Sequence, residues 1–158
     1  MKIITLWEPW ATLLALGQKR IETRGWSTAY RGLVAIHAAK GGLSKREFVA
    51  TVSRPIFRRA LGAPCCPGCF RGCIVGVGRL VDCCPSESKI CLPGVFDEHP
   101  KLDTAQEREF GNYTPGRFGL VFEDPKLFRT PIPYSSRQGK LLDLTPELEL
   151  LLTEAYAR

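Results

Sequence analysis

Between Trp7 and Arg24 the chain changes structural period twice, and no other feature limits its folding so strongly. Residues 2–7 mix Ile, Thr and Trp, the composition of a strand. Glu8-Pro9 then opens a helix, since proline's missing N–H costs nothing in a first turn. Trp10, Leu13 and Leu14 recur at helical spacing, and Gly17 supplies the left-handed residue that ends such a helix. A second strand is expected over residues 19–24. There Ile21 and Thr23 share one face, while Arg20, Glu22 and Arg24 share the other, with Lys19 at the turn.

Four charged side chains packed so closely resemble a site. The same pattern also suits an edge strand protected by charge. A lysine beside two arginines is expected to lose its proton more easily than usual, which suits a base or nucleophile. Glu22 would accept a proton or orient Lys19. Strict alternation puts the two on opposite faces, so they cooperate only if the turn redirects Lys19.

Downstream, Leu33–His37 reads as a third strand. Ser44-Lys45-Arg46-Glu47 is a capping box that starts a helix with Phe48, Val49 and Val52 facing inward. Pro55 is expected to break it, and a second short helix runs to about Gly62. Residues 63–73 form a Cys/Pro/Gly loop, and Cys73–Asp82 reads as a strand whose interleaved glycines pass close to other backbone. Residues 84–116 read as a long irregular insertion with a short helix near Thr104–Phe110, a segment length that usually carries function. Arg117–Glu123 and Lys140–Leu144 are the last strands. A final helix begins at Thr145-Pro146-Glu147, with Leu148, Leu151, Leu152 and Tyr156 on one face. Five or six short strands with peripheral helices predict a small α+β barrel, and 158 residues predict a single domain spanning 1–158.

Charge narrows the partners. The chain carries 22 Lys/Arg against 16 Asp/Glu, and the whole excess lies in the first sixty residues, which hold 11 against 3. A basic sector suits RNA or DNA phosphates; a merely solvated surface gives the same count. No apolar run approaches the ~20 residues that a bilayer requires. Met1 leads directly into the first strand without a signal-peptide pattern, so the expected compartment is the cytoplasm.

The ordered motifs Trp7-Glu8-Pro9-Trp10-Ala11, Gly17-x-Lys19-x-x-Glu22-x-Arg24, Tyr30-Arg31-Gly32 and Ile36-His37-Ala38-Ala39-Lys40 resemble the ASCH family of the PUA-like superfamily. Gly116–Glu123 and Arg137-Gln138-Gly139 resemble its closing strands. The resemblance covers roughly residues 1–83 and 115–144. It implies a PUA-like β-barrel with a cleft beside the first helix, and RNA or nucleoside binding. Some members are similar to amidohydrolases of N(4)-acetylcytidine, and others are described as ribonucleases. The resemblance to the amidohydrolases implies a catalytic Lys, a Thr three residues later and a Glu on a later strand. Lys19 matches the Lys, but Glu22 stands in the Thr position and Gly76 where the Glu is expected.

Trp7, Trp10 and Trp26 bracket the charged strand. A tryptophan beside basic residues can stack a base, worth ~1–3 kcal/mol, with core packing as the competing use. Trp10 and Trp26 are preferred over Trp7. Arg24, Arg31, His37, Lys40 and Arg117 complete the expected nucleic-acid set, with His37 equally readable as a structural strand histidine. Cys66-Pro67-Gly68-Cys69 has the two-residue spacing of a zinc knuckle, with Cys73 and Cys83 as the second pair. Unligated thiols and a disulfide stay open beside this structural zinc, and the chemistry requires no cofactor. The first reading is an RNA- or nucleoside-binding domain that holds a base in the cleft, with DNA as a possible partner and no membrane. The alternatives are an amidohydrolase of acylated nucleosides using Lys19 and Glu22, and a ribonuclease. The 84–116 insertion is a candidate lid whose burial separates an enzyme from a binding module.

Overall fold

The computed structural model describes residues 1–62, 70–86, 104–137 and 139–157. Six strands form one curled sheet: β1 (Lys2–Leu6), β2 (Ile21–Arg24), β3 (Gly32–Ala38), β4 (Cys73–Pro85), β5 (Phe118–Pro133) and β6 (Leu142–Asp143). Their order is β2-β5-β4-β3-β1-β6. β1 runs parallel to β3, with Ile4 opposite Ile36, and the other pairings are antiparallel. Five helices surround the described sheet: α1 (Trp10–Ala15), α2 (Lys45–Ser53), α3 (Pro55–Leu61), α4 (Thr104–Phe110) and α5 (Pro146–Ala157). The α+β class and the six strands expected from the sequence are therefore present, and the expected small barrel takes the form of a curled half-barrel. Among the described residues, no helix is long and apolar enough to cross a membrane.

The α1 terminus sets up everything that follows. Pro9 caps the helix after a cis Glu8–Pro9 peptide. At the other end Gly17 takes φ +74°. The Gly17 N–H donates to Leu14 O at 3.1 Å, and the Gln18 N–H to Leu13 O at 3.0 Å. This is the paired bonding of a Schellman cap, which a residue with Cβ adopts only with strain. The cap carries the chain through Lys19, whose N–H also reaches Leu13 O at 3.1 Å, before β2 begins at Ile21. Ala11, Leu14 and Ala15 pack onto Ile4, Val34, Val75 and Phe122, while Leu13 turns to Phe57 and Phe110.

Two strands run longer than expected. β4 continues through Pro85, so the insertion begins later than residue 84. β5 continues past Asp124-Pro125 to Pro133. These turn formers are absorbed in a bulge: Arg79 faces Glu123 and Val77 faces Lys126, which leaves Asp124 (φ 46°) and Pro125 opposite Gly78. Gly76 is needed here, because a Cβ on it would lie 2.3 Å from Lys126 O.

Other expectations require correction. The α2 capping box is present, but no α2 residue is buried and Val49 is 52% exposed. The adjoining α3, started by Pro55, buries Phe57, Ala60 and Leu61 instead, and the half-buried Val52 of α2 packs against that cluster as expected. On α5, Leu152 is buried but Leu151 points outward, 49% exposed.

Candidate nucleic-acid interface

β2 alternates as expected, with Ile21 and Thr23 buried and Glu22 and Arg24 partly open. Lys19 does not follow the alternation. The Schellman cap holds it off the strand, and its side chain folds back into the protein with no exposure. Its Nζ donates to Ile21 O at 2.5 Å and Phe110 O at 3.1 Å, and lies 3.4 Å from Glu22 Oε2. Two of the three ammonium protons thus go to carbonyls, and the Glu22 contact is ionic. Lys19 therefore sits behind the carboxylate of Glu22, buried away from solvent.

Glu22 is the group presented. Its other oxygen, Oε1, lies 2.9 Å from Arg24 Nε. That contact is ionic, since the Arg24 Nε–H is not aligned for a hydrogen bond. Arg24 Nη2 also donates to Thr5 O at 2.8 Å, which ties β2 to β1. Two cations thus flank the carboxylate. Each carboxylate oxygen retains lone pairs beyond those used internally.

In front of Glu22 lies a cleft with two adjoining lobes, of about 350 and 470 Å³. Trp7, Trp10, Glu22, Thr23 and Arg117 line both lobes. Arg24 borders the first, and Phe110 to Asn112 border the second. Trp10 is held edge-on against Phe57, with ring centroids 6.3 Å apart. Arg117 donates to Thr23 O at 3.0 Å and Asn112 O at 3.1 Å, and the Asn112 N–H donates to Thr23 Oγ1 at 3.0 Å. This volume range is that of small-molecule sites.

The far end of the insertion is built into this wall. Phe110 is buried against Leu13 and Phe57. Glu107 is 2% exposed and accepts from the backbone N–H of Arg20 and of Ile21, the latter at 3.3 Å. Tyr113 donates its hydroxyl to the same carboxylate at 3.4 Å. Burial pushes the Glu107 carboxyl above its usual range, against the Lys19 charge and these hydrogen bonds. Burial, with the nearby Glu107 and Glu22 charges, raises the Tyr113 hydroxyl strongly. The candidate-lid expectation thus meets a fixed wall over α4, while residues 87–103 lie outside the described residues.

The structure brings together Trp10, Lys19, Glu22, Arg24 and Arg117 of the expected set. Trp26 packs against the main core instead, and exposed Arg31 donates to Asp82 at 2.9 Å. His37 and Lys40 line a separate pocket of about 290 Å³ across Trp7, with Ser135 and Ser136. His37 is 1% exposed. Its Nδ1 accepts from Thr5 Oγ1 at 3.1 Å and its Nε2 donates to Tyr134 O at 3.0 Å, the pairing of a neutral Nε2–H ring. Burial lowers its proton affinity accordingly. Trp7, 42% exposed, is the wall common to this pocket and both cleft lobes, a role its sequence did not distinguish.

Glu107 and Glu8 were not legible as partners of this region. Glu8 is 1% exposed and accepts from Thr12 Oγ1 at 2.8 Å and Thr12 N at 3.2 Å. Burial pushes its carboxyl up to about 7. The expected amidohydrolase Glu has no counterpart at Gly76, whose surroundings leave no room for a side chain.

Of the expected zinc set, the two described cysteines are not brought together. Cys66 and Cys69 lie outside the described residues. Cys73 and Cys83 are free thiols at opposite ends of β4, ten residues apart. At ~3.3 Å per residue that is roughly 30 Å, shortened somewhat by bulges, far beyond the span of one tetrahedral ion. Among the described residues, no group of three or more His, Cys, Asp or Glu is placed to hold a metal.

Comparison with known proteins agrees with the fold. A family model for the ASCH domain matches residues 4–111. The crystal structure of ASCH from Zymomonas mobilis aligns with a TM-score of 0.53 at 17% identity, covering 97% of this chain and 93% of that one. Two mutant proteins of it, both 16% identical, align with TM-scores of 0.54 and 0.53, covering 97% of this chain and 96% and 94% of theirs. No curated protein matches the sequence.

Proposed function

The chain belongs to the ASCH domain family, and on that premise we propose that it binds a nucleobase of RNA, or a free nucleoside, in the cleft between Trp10 and Glu22. The observation that carries this reading is the Glu22 carboxylate, held between Lys19 and Arg24 and opening onto a cleft with indole walls. An ionised carboxylate only accepts hydrogen bonds, so it selects the base edges that donate most: the amino groups of cytosine, adenine or guanine. Trp10 and Trp7 supply the stacking surface, and Arg117 and Arg24 supply positive charge at the rim.

The arrangement favours binding over hydrolysis. A nucleophilic or basic Lys19 would need a free lone pair facing the ligand, yet its side chain is fully buried, with Nζ donating to Ile21 O and Phe110 O beside Glu22. With Glu22 in the Thr position and Gly76 in the Glu position, only the Lys remains of the three groups that the amidohydrolase pattern requires.

The test is a titration of tryptophan fluorescence with single-stranded RNA hexamers and free nucleosides. Trp10→Ala is expected to weaken binding by about 5- to 150-fold, the worth of one stacked base. Trp26→Ala, away from the cleft, is expected to retain wild-type affinity. Equal loss in both variants, or none in either, would remove the cleft as the binding site.

A further inference from the structure

We infer that Glu107, on the insertion, is a positioning residue for the cleft, clamping the Lys19–Ile21 turn and so holding the Glu22 carboxylate where a base meets it. The inference deepens the binding reading above and rests on it for its ligand. Glu107 and Phe110 lie three residues apart on α4, and both act on one turn of backbone. Glu107 takes the N–H groups of Arg20 and Ile21; Phe110 offers its carbonyl to Lys19 Nζ. Lys19 in turn contacts Glu22 Oε2. A connected path therefore runs from Glu107 through the 19–21 turn to the carboxylate in the cleft.

Anchoring α4 does not require this charge. Phe110, packed between Leu13 and Phe57, already supplies an apolar anchor. A buried carboxylate is costly unless paired and hydrogen-bonded, and here its bonds go to the turn that carries Lys19 and to Tyr113. Such an arrangement fixes one geometry better than apolar packing does. The charged and titratable groups acting on Glu107 and its Tyr113 partner are Lys19, Glu22 and Arg108. Protonation of Glu107 turns one acceptor oxygen into a donor and weakens its pull on Lys19. The turn then loses part of its clamp.

The test follows amide resonances of Arg20 and Ile21 against pH by NMR, in wild type and Glu107→Gln, beside affinity for a cytidine RNA hexamer. In wild type, both amides are expected to titrate with one midpoint above the ordinary carboxylate range. RNA affinity is expected to fall about tenfold as pH drops through that midpoint, as for loss of one charge-assisted hydrogen bond. Glu107→Gln is expected to bind about tenfold more weakly above that midpoint and to lose both titrations. Wild-type affinity with an unchanged pH profile in Glu107→Gln would overturn the inference. If wild type binds neither RNA nor nucleoside, the base-binding reading fails by itself. The clamp is then judged by amine acylation of Lys19. About tenfold faster labelling in Glu107→Gln, with unchanged circular dichroism, sustains the clamp. Equal labelling overturns it.

Discussion

Lys19 Nζ stands 3.4 Å from Glu22 Oε2, fully buried, and donates to the carbonyls of Ile21 and Phe110. The lysine thus braces the carboxylate that lines the cleft. Lys19→Met removes the cation and leaves two buried carbonyls without their donor, while Glu22 keeps Arg24. The expected loss is about 3 kcal/mol, read from urea unfolding, because each acceptor left unsatisfied costs its desolvation. A loss below about 0.5 kcal/mol would place Lys19 among the weak surface pairs.

Gly76 carries a second prediction. Its missing Cβ would meet Lys126 O at 2.3 Å and the Ala15 Cβ at 2.9 Å. Gly76→Ala is expected to cost about 2 kcal/mol or more by thermal or urea unfolding, since backbone must move to admit it. Gly76→Glu is expected to impair folding and to release no acetate from N(4)-acetylcytidine. A stable Gly76→Glu protein that hydrolyses this nucleoside would contradict the assignment of that position to packing.

Glu8 predicts how stability follows pH. Its carboxyl is raised from 4.5 to about 7 by burial, so the folded state holds a proton that the unfolded state releases. Stability from this residue is greatest at acid pH and falls as pH rises from about 4.5 to about 7, then levels off. The full change is at most about 3 kcal/mol, at 1.36 kcal/mol per unit. Glu8→Gln, measured by urea unfolding between pH 5 and 8, on the order of this window, is expected to remove that slope. An unchanged slope in Glu8→Gln would assign it elsewhere.

Much of this site was legible where local chemistry decides local shape. Gly17 announced the left-handed cap, Ser44 and Glu47 announced the α2 start, and the alternation of Ile21 to Arg24 announced a two-faced strand. Lys19 was harder, because strict alternation applies only once the strand has begun, and β2 begins at Ile21. Asp124-Pro125 reads as a strand end by its turn chemistry. A bulge opposite Gly78 accommodates it, and that is a property of the pairing, not of either segment. Glu107 was out of reach for a different reason. Its partners, Arg20 and Ile21, lie more than eighty residues away, and no local pattern records such a contact. The one sequence signal was its place in a short helix beside Phe110, inside an insertion otherwise poor in apolar residues.

The central claim is that Glu22 reads the donor edge of a base stacked in the cleft. The most direct measurement compares the affinities of cytidine and uridine RNA hexamers for wild type and Glu22→Gln, at one salt concentration. The account predicts that wild type prefers cytidine about tenfold, the range of one base-edge contact, and that Glu22→Gln loses this preference. Equal affinities for the two RNAs in wild type, or a preference that survives Glu22→Gln, would contradict it.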